Sequence, residues 1–345
     1  MTQNAVPPNV ASTTEGSGNT ASEREWIENA VVILANDHVH DWLKACLNSL
    51  RNVSPEIPCW ILPFDDRLER TSRLAASMGA TIVHPPMLAE LTRLGADFCP
   101  QSTVAQHVFR KLAALLLPAR RILFSDADII FLRPVEPLFG ALHTQAKEIL
   151  YADSDIKRVY SDPDFARRMQ QEHAARGINT GFWLTRGGQF SLDTIQAAAE
   201  RATPYRQFFD PLTMEQPFLN FLLDTSGLRS VHFSERISGF PLCSWGVLPV
   251  VWTDGVPHCR DHHQGFQYNP EPTPLHMLHW AGVPLGWSMP NRELFLTHGL
   301  SGESPWRRRS TAMRWWLRHQ SSLWGGRLRR SPQKLRRHPG PGGMA

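Results

Sequence analysis

The stretch that decides the fold is "RRILFSDADIIFLRP", Arg120 to Pro134. Ile122, Leu123 and Phe124 form an apolar run, Ser125, Asp126, Ala127 and Asp128 interrupt it, and Ile129, Ile130 and Phe131 resume it. Runs of this kind read as a buried strand. Two carboxylates in the middle of one are costly to desolvate unless something pairs with them. On extended chain, positions two apart point the same way, so Asp126 and Asp128 are expected to present their carboxylates to one object. A hard divalent cation, Mg2+ or Mn2+, would relieve their repulsion and leave coordination positions open for a diphosphate. Considered alone, an Asp-x-Asp reads as well as a turn cap followed by a solvated side chain, and Asp153-Ser154-Asp155 is a second copy.

Working outward, the preceding segments repeat one pattern. "AVVILAND" (30–37) is an apolar run closed by Asn36 and Asp37, and "WLKACLNSL" (42–50) follows at helical spacing. "PCWILPFDD" (58–66) again ends in acids, "RLERTSRLAASMG" (67–79) reads as a helix closed by Gly79, and "ATIVHP" (80–85) as a strand. "VAQHVFRKLAALLLP" (104–118) predicts a helix stopped by Pro118, "EILYADSD" (148–155) and "NTGFWLTR" (179–186) predict strands, and "EQPFLNFLLD" (215–224) a short helix. Such alternation implies an α/β fold, a mostly parallel, Rossmann-like sheet with helices on both faces. Ligands of open parallel sheets lie beyond the carboxyl ends of the strands. Asp37, Asp65, Asp66, Asp126, Asp128 and Asp153 are therefore expected to share one acidic rim.

With 345 residues, 42% of them apolar, the chain can bury one large core. Residues 1–25 are rich in Asn, Ser, Thr, Gly and Pro and read as a disordered leader, leaving a single domain over 26–300 and a tail over 301–345. No apolar run is long enough to span a membrane, and no secretory signal is visible. Five scattered cysteines without a C-x-x-C pair indicate neither a disulfide framework nor a zinc site, so a reducing, cytoplasmic setting is expected. From Ser301 onward ten arginines and Lys334 face one acid, Glu303, a formal +10, whereas the rest carries −6. Trp306, Trp315, Trp316, Leu317, Leu323 and Trp324 are interleaved with those cations. This suits peripheral contact with the inner face of a membrane, or packing of the Trp side onto the domain, better than nucleic acid.

The motifs and their order carry a resemblance. "FSDADIIF" resembles the Asp-x-Asp motif of GT-A-fold glycosyltransferases, and "VVILANDHVHDWLKACLNSL", the Lys111 helix, "NTGFW", "EQPFLN" and "HWAG" resemble successive motifs of the glycogenin and bacterial galactosyltransferase-like retaining branch, over roughly residues 30 to 287. The resemblance implies a GT-A-like domain moving a hexosyl group from a nucleotide-diphosphate sugar, a UDP-sugar by preference, to a hydroxyl of a glycan or lipid-linked acceptor, with retention. It implies Mn2+ (or Mg2+) held by Asp126, Asp128 and His279, and base and ribose against Ala35, Asn36 and Asp37. It implies Lys111 near the sugar or diphosphate, Asn179, Thr180 and Gly282 lining the substrate pocket, Asp153 gripping sugar hydroxyls, and Glu215 and Gln216 near the anomeric carbon. Val39 stands where the family often stacks a tyrosine on uracil, and Leu285 where a lysine grips the diphosphate, so Arg260, Arg186 or another cation would have to replace that lysine. Two rival readings are a haloacid-dehalogenase-like phosphatase with Asp126 as nucleophile, and a non-catalytic binder of nucleotide-sugar or carbohydrate.

Overall fold

In "IENAVVILA", β1 (Ile27–Ala35), Ala30 and Val32 enter one apolar core while Val31, Ile33 and Ala35 enter another. A strand buried on both faces needs helices on both sides, and the computed structural model has them. It describes residues 26–143, 147–237, 244–245, 250–254, 256–259 and 273–329. The leader, Arg260 and residues 330–345 lie outside the described residues.

The main sheet contains β1, β2 (Cys59–Pro63), β3 (Thr81–Ile82), β4 (Ala119–Ser125), β6 (Glu148–Tyr151), β7 (Phe182–Arg186) and β8 (Arg229–His232), in the order β3-β2-β1-β4-β7-β6-β8. Every neighbouring pair is parallel except the two made by β7, which runs against β4 and β6. The mostly parallel sheet is thus as the alternation predicts.

The decisive stretch differs from a single strand. β4 stops at Ser125, Asp126 to Asp128 form a turn, and β5 (Ile129–Phe131) pairs antiparallel with β13 (Met277–His279) in a second sheet that also holds β9 (Ser244–Trp245). The apolar residues on either side of the acids therefore serve two sheets, and the acids mark the crossing. A small third sheet joins β10 (Val250–Thr253), β11 (Val256–Cys259) and β12 (Thr273–Pro274).

On one face pack α3 (Leu88–Phe98), α4 (Thr103–Val108), α6 (Pro163–His173), α7 (Leu192–Ala202) and α8 (Gln216–Thr225). On the other lie α1 (His40–Val53), α2 (Glu69–Ser77) and α5 (Glu136–Ala141). The helix expected over 104–118 is α only as far as Val108; Phe109–Leu116 is wound as a 3-10 segment. Six of those eight side chains are buried, Lys111 included, so packing from several sides has overridden the α preference of a Leu- and Ala-rich run. A third core surrounds Trp280 and Phe295 of α9 (Arg292–Gly299), and α10 (Pro305–Arg329) rests on it through Ala312 and Trp315, whose ring lies 5.7 Å from that of Phe295.

Candidate functional site

The strand order reverses between β1 and β4: β2 and β3 build outward on one side of β1, and β4 begins the other. Such a switch leaves a crevice beyond the carboxyl ends of the two strands. A cavity of about 1810 Å3 opens there, lined by Ala35 and Asn36 from the end of β1 and by Asp126 and Asp128 from the turn after β4. Lys111, Asp153, Asn179, Thr180, Glu215, Gln216, His279 and Gly282 also line it. Among the residues assigned to substrate, metal or catalysis, Asp37 is the one that does not: its carboxylate caps α2, accepting from the backbone N–H of Thr71 at 2.8 Å and of Arg70 at 3.1 Å. Asp65 is likewise occupied, by the Arg67 guanidinium at 2.9 Å. The acidic rim is thus confined to Asp126, Asp128 and Asp153, with Asp155 at its far end.

β13 delivers His279 to the turn. Its Nε2 lies 3.2 Å from Asp128 Oδ1 and 3.8 Å from Asp126 Oδ2, and one donor atom from each of the three residues falls within 4.8 Å of the others. The imidazole is buried, but the carboxylates are 30% and 25% exposed, so the cavity reaches them. Two carboxylate oxygens and one imidazole nitrogen form a donor set suited to Mn2+, with Mg2+ favouring the oxygens. Gly181 makes room for this meeting, because a Cβ on it would lie 2.6 Å from His279 Cε1 and 2.7 Å from Asp126 Oδ2. The residues present therefore fit a divalent cation. Burial, with Asp128 adding to it against the pull of Lys111, raises the Asp126 carboxyl; for Asp128 burial acts upward too, but the charge and hydrogen bond of His279 prevail and hold it low.

Lys111 stands behind the turn. It is 4% exposed, and its Nζ lies 2.7 Å from Glu215 Oε1, 3.1 Å from Asp126 Oδ1 and 3.3 Å from the Thr180 carbonyl. Burial alone would lower its pKa, but the two carboxylates outweigh burial and raise it. Glu215 is 3% exposed and also accepts from Thr180 Oγ1 at 2.8 Å. Gln216 accepts from Thr180 N–H at 3.2 Å and donates to the Arg158 carbonyl at 3.0 Å. Glu215 and Gln216 thus hold Lys111 and the Asn179-Thr180-Gly181 segment in place. Asn179 accepts from Gly181 N–H at 2.8 Å, and Asp153 from Ser154 N–H at 2.8 Å.

Sequence reasoning left three parts of the site unassigned. Asn220, inside "EQPFLN", clamps Ile178 from both sides, accepting from its N–H at 2.7 Å and donating to its carbonyl at 2.9 Å; its place in the motif is the signal. Met214, in the left-handed region at φ 53°, sets the approach to Glu215, and nothing in the sequence marks it. Lys157, Arg158 and Arg176 line the cavity on segments adjoining the Asp153 loop and "NTGFW". Leu285 packs in the third core, and Arg186, at the far end of β7 opposite Arg121, does not line the cavity.

No family model matches the sequence, and no curated protein matches it. Among solved structures the chain is similar to the apo form of the bifunctional glycosyltransferase WbbM, with a TM-score of 0.52 and 13% identity over 88% of this chain and 53% of that one. It spans only about half of WbbM. It is similar to the galactosyltransferase LgtC in complex with donor and acceptor sugar analogues, with a TM-score of 0.54 and 15% identity over 81% of this chain and 99% of that one. An active-site mutant of LgtC aligns at a TM-score of 0.51 and 15% identity over 79% and 95%. At such identities it is the path of the backbone that is shared. With the crossing of β4 into β5, the reversed β7 and the crevice between β1 and β4 in place, this chain has the fold of the GT-A glycosyltransferases.

Proposed function

We propose that this protein is a metal-dependent glycosyltransferase, moving a sugar from a nucleotide-diphosphate donor to a hydroxyl acceptor. The observation that carries the reading is the convergence of Asp126, Asp128 and His279 on one point in the crevice. Mn2+ or Mg2+ bound there would supply positive charge against a departing diphosphate. Ala35 and Asn36 would border base and ribose, with a uridine nucleotide the favoured donor on the resemblance, and Asp153, Asn179 and Thr180 would border the sugar.

Retention follows best from attack on the face the diphosphate leaves. The acceptor oxygen bonds the anomeric carbon as the carbon–diphosphate bond breaks, and the hydroxyl proton passes to a diphosphate oxygen. This reading needs no strong side-chain base, and Glu215, engaged by Lys111 and Thr180, is poorly placed as a nucleophile. The lysine role lost at Leu285 is not taken up by Lys111, which is already engaged by Asp126 and Glu215.

Thermal stability measured with UDP, GDP and ADP, each with and without Mn2+, tests the reading, because a ligand of the folded state raises its stability. Stabilisation by one nucleotide that requires Mn2+ and disappears in Asp126→Asn is expected. No nucleotide response would overturn it; a response without sugar transfer or donor hydrolysis would leave a binding protein; phosphatase activity surviving in Asp126→Asn would exclude the aspartyl-nucleophile alternative.

We propose also that α10 brings the protein to the inner face of an anionic membrane. Trp306, Met313, Trp316 and Leu317 are 75%, 56%, 38% and 53% exposed, among the arginines at 307, 308, 309 and 314. Among the described residues no helix is long and apolar enough to cross a membrane. The cytoplasmic setting belongs to the same proposal.

A further inference from the structure

Beyond the sugar end of the crevice, the loop after β6 and the segment before β7 run side by side. Asn179 N–H donates to the Asp153 carbonyl at 2.8 Å, Ser154 and Ile178 form an antiparallel bridge, and Asp155 N–H donates to the Gly177 carbonyl at 2.8 Å. Each rung leads a step farther from Gly181 and the triad it adjoins. Lys157, Arg158 and Arg176, on or next to these segments, line the cavity, all three exposed.

Some arginines elsewhere on the surface are answered by acids, Arg167 by Asp164, Arg229 and Arg236 by Glu148, Arg292 by Glu293, while others such as Arg186 and Arg201 stand singly among the described residues. Among the described residues, no acid pairs with the side chains of Lys157, Arg158 or Arg176. The carboxylates on the same wall are engaged locally, Asp153 with Ser154 N–H and Asp155 with Lys157 N–H at 3.0 Å. Three like charges on one wall, on a body whose formal charge excluding the tail is −6, call for an anion from outside.

We propose that this arm of the cavity recognises an acceptor saccharide carrying a phosphate group, either a soluble sugar phosphate or one linked to a lipid. The inference rests on the glycosyltransferase reading above and names the acceptor class it leaves open. The donor's diphosphate is a poorer match, because that reading places it at the triad, and among the described residues none of these cations pairs with Asp126 or Asp128.

The test uses the full chain with Mn2+ and UDP. Calorimetric titration compares glucose 6-phosphate with glucose, with and without nucleotide, and adds an octyl glycoside of the same sugar phosphate. A phosphate-dependent gain of about tenfold or more, weakened by raising NaCl from 50 to 500 mM, is expected from a contact of this kind. Arg158→Ala and Arg176→Ala should each erase threefold to tenfold of the gain while UDP affinity stays unchanged. The octyl form binding equally assigns the soluble source, and binding more tightly the lipid-linked one; either supports the proposal. Equal affinity for glucose and its phosphate would overturn it, as would variants that weaken UDP in place of the sugar phosphate. Loss of UDP binding in the unmodified chain would instead sink the donor reading, and the titrations without nucleotide would still decide this one.

Discussion

Gly181 shows how little room the site has. Its missing side chain is what allows His279 and Asp126 to approach, and a methyl group there would overlap both. Gly181→Ala is therefore expected to lower Mn2+ affinity at least tenfold with the fold intact, read by Mn2+ electron paramagnetic resonance beside far-ultraviolet circular dichroism; unchanged affinity would separate the glycine from the triad. Lys111 offers a second measurement. Removing one partner of a buried charge network costs about 3–5 kcal/mol, because the remaining charge stays buried. Lys111→Met should lose stability of that order in urea unfolding, and adding Glu215→Gln should restore part of it, since the two side chains are 2.7 Å apart. Purely additive losses would deny the coupling. At this scale the sequence was readable where a residue broke a rule: carboxylates between apolar runs drew notice because burying them is expensive. Lys111 could be named from its motif, but that Glu215 and Asp126 both receive it depends on a helix start and a turn that meet only in three dimensions.

At the scale of elements, α8 works as a brace for the segment that carries Asn179 to Gly181. Its Asn220 satisfies both backbone groups of Ile178. Asn220→Ala leaves a buried N–H and a buried carbonyl without that partner, a loss of about 2–4 kcal/mol, and hydrogen exchange at residues 178–181 should accelerate more than in β1. Uniform acceleration would make Asn220 an ordinary core residue. Strands and helices were legible here because periodicity reports which faces are buried, as the alternation of Val31 and Val32 between two cores shows. Direction and winding were not. Nothing in "NTGFWLTR" says that β7 runs backwards, since a strand covered on both faces has the same composition either way, and the 3-10 winding of Phe109–Leu116 is imposed by what surrounds it.

For the whole molecule, Asp224 gives a signature that acidity should reveal. It is 6% exposed, accepts from Tyr160 Oη at 3.1 Å, and burial pushes its pKa up from 3.8 to about 7. Between roughly pH 4 and pH 7 the unfolded chain has released this proton and the folded chain keeps it, so the contribution of Asp224 to stability is greatest below that window, falls as pH rises through it, and is flat above. Asp224→Asn removes the titration. It is expected to match the parent near pH 4 and exceed it near pH 8, by at most about 4 kcal/mol at ~1.36 kcal/mol per pKa unit. A parallel pair of stability–pH curves would refute the shift.

The proposed ligand triad also has an order in time. Asp126 and Asp128 are made first, and His279 follows only after another 150 or so residues of chain, on the strand that pairs with β5. A nascent or truncated chain can complete much of the main sheet and still lack the imidazole. On the proposed metal reading, the full donor set is therefore complete only once β13 has been made.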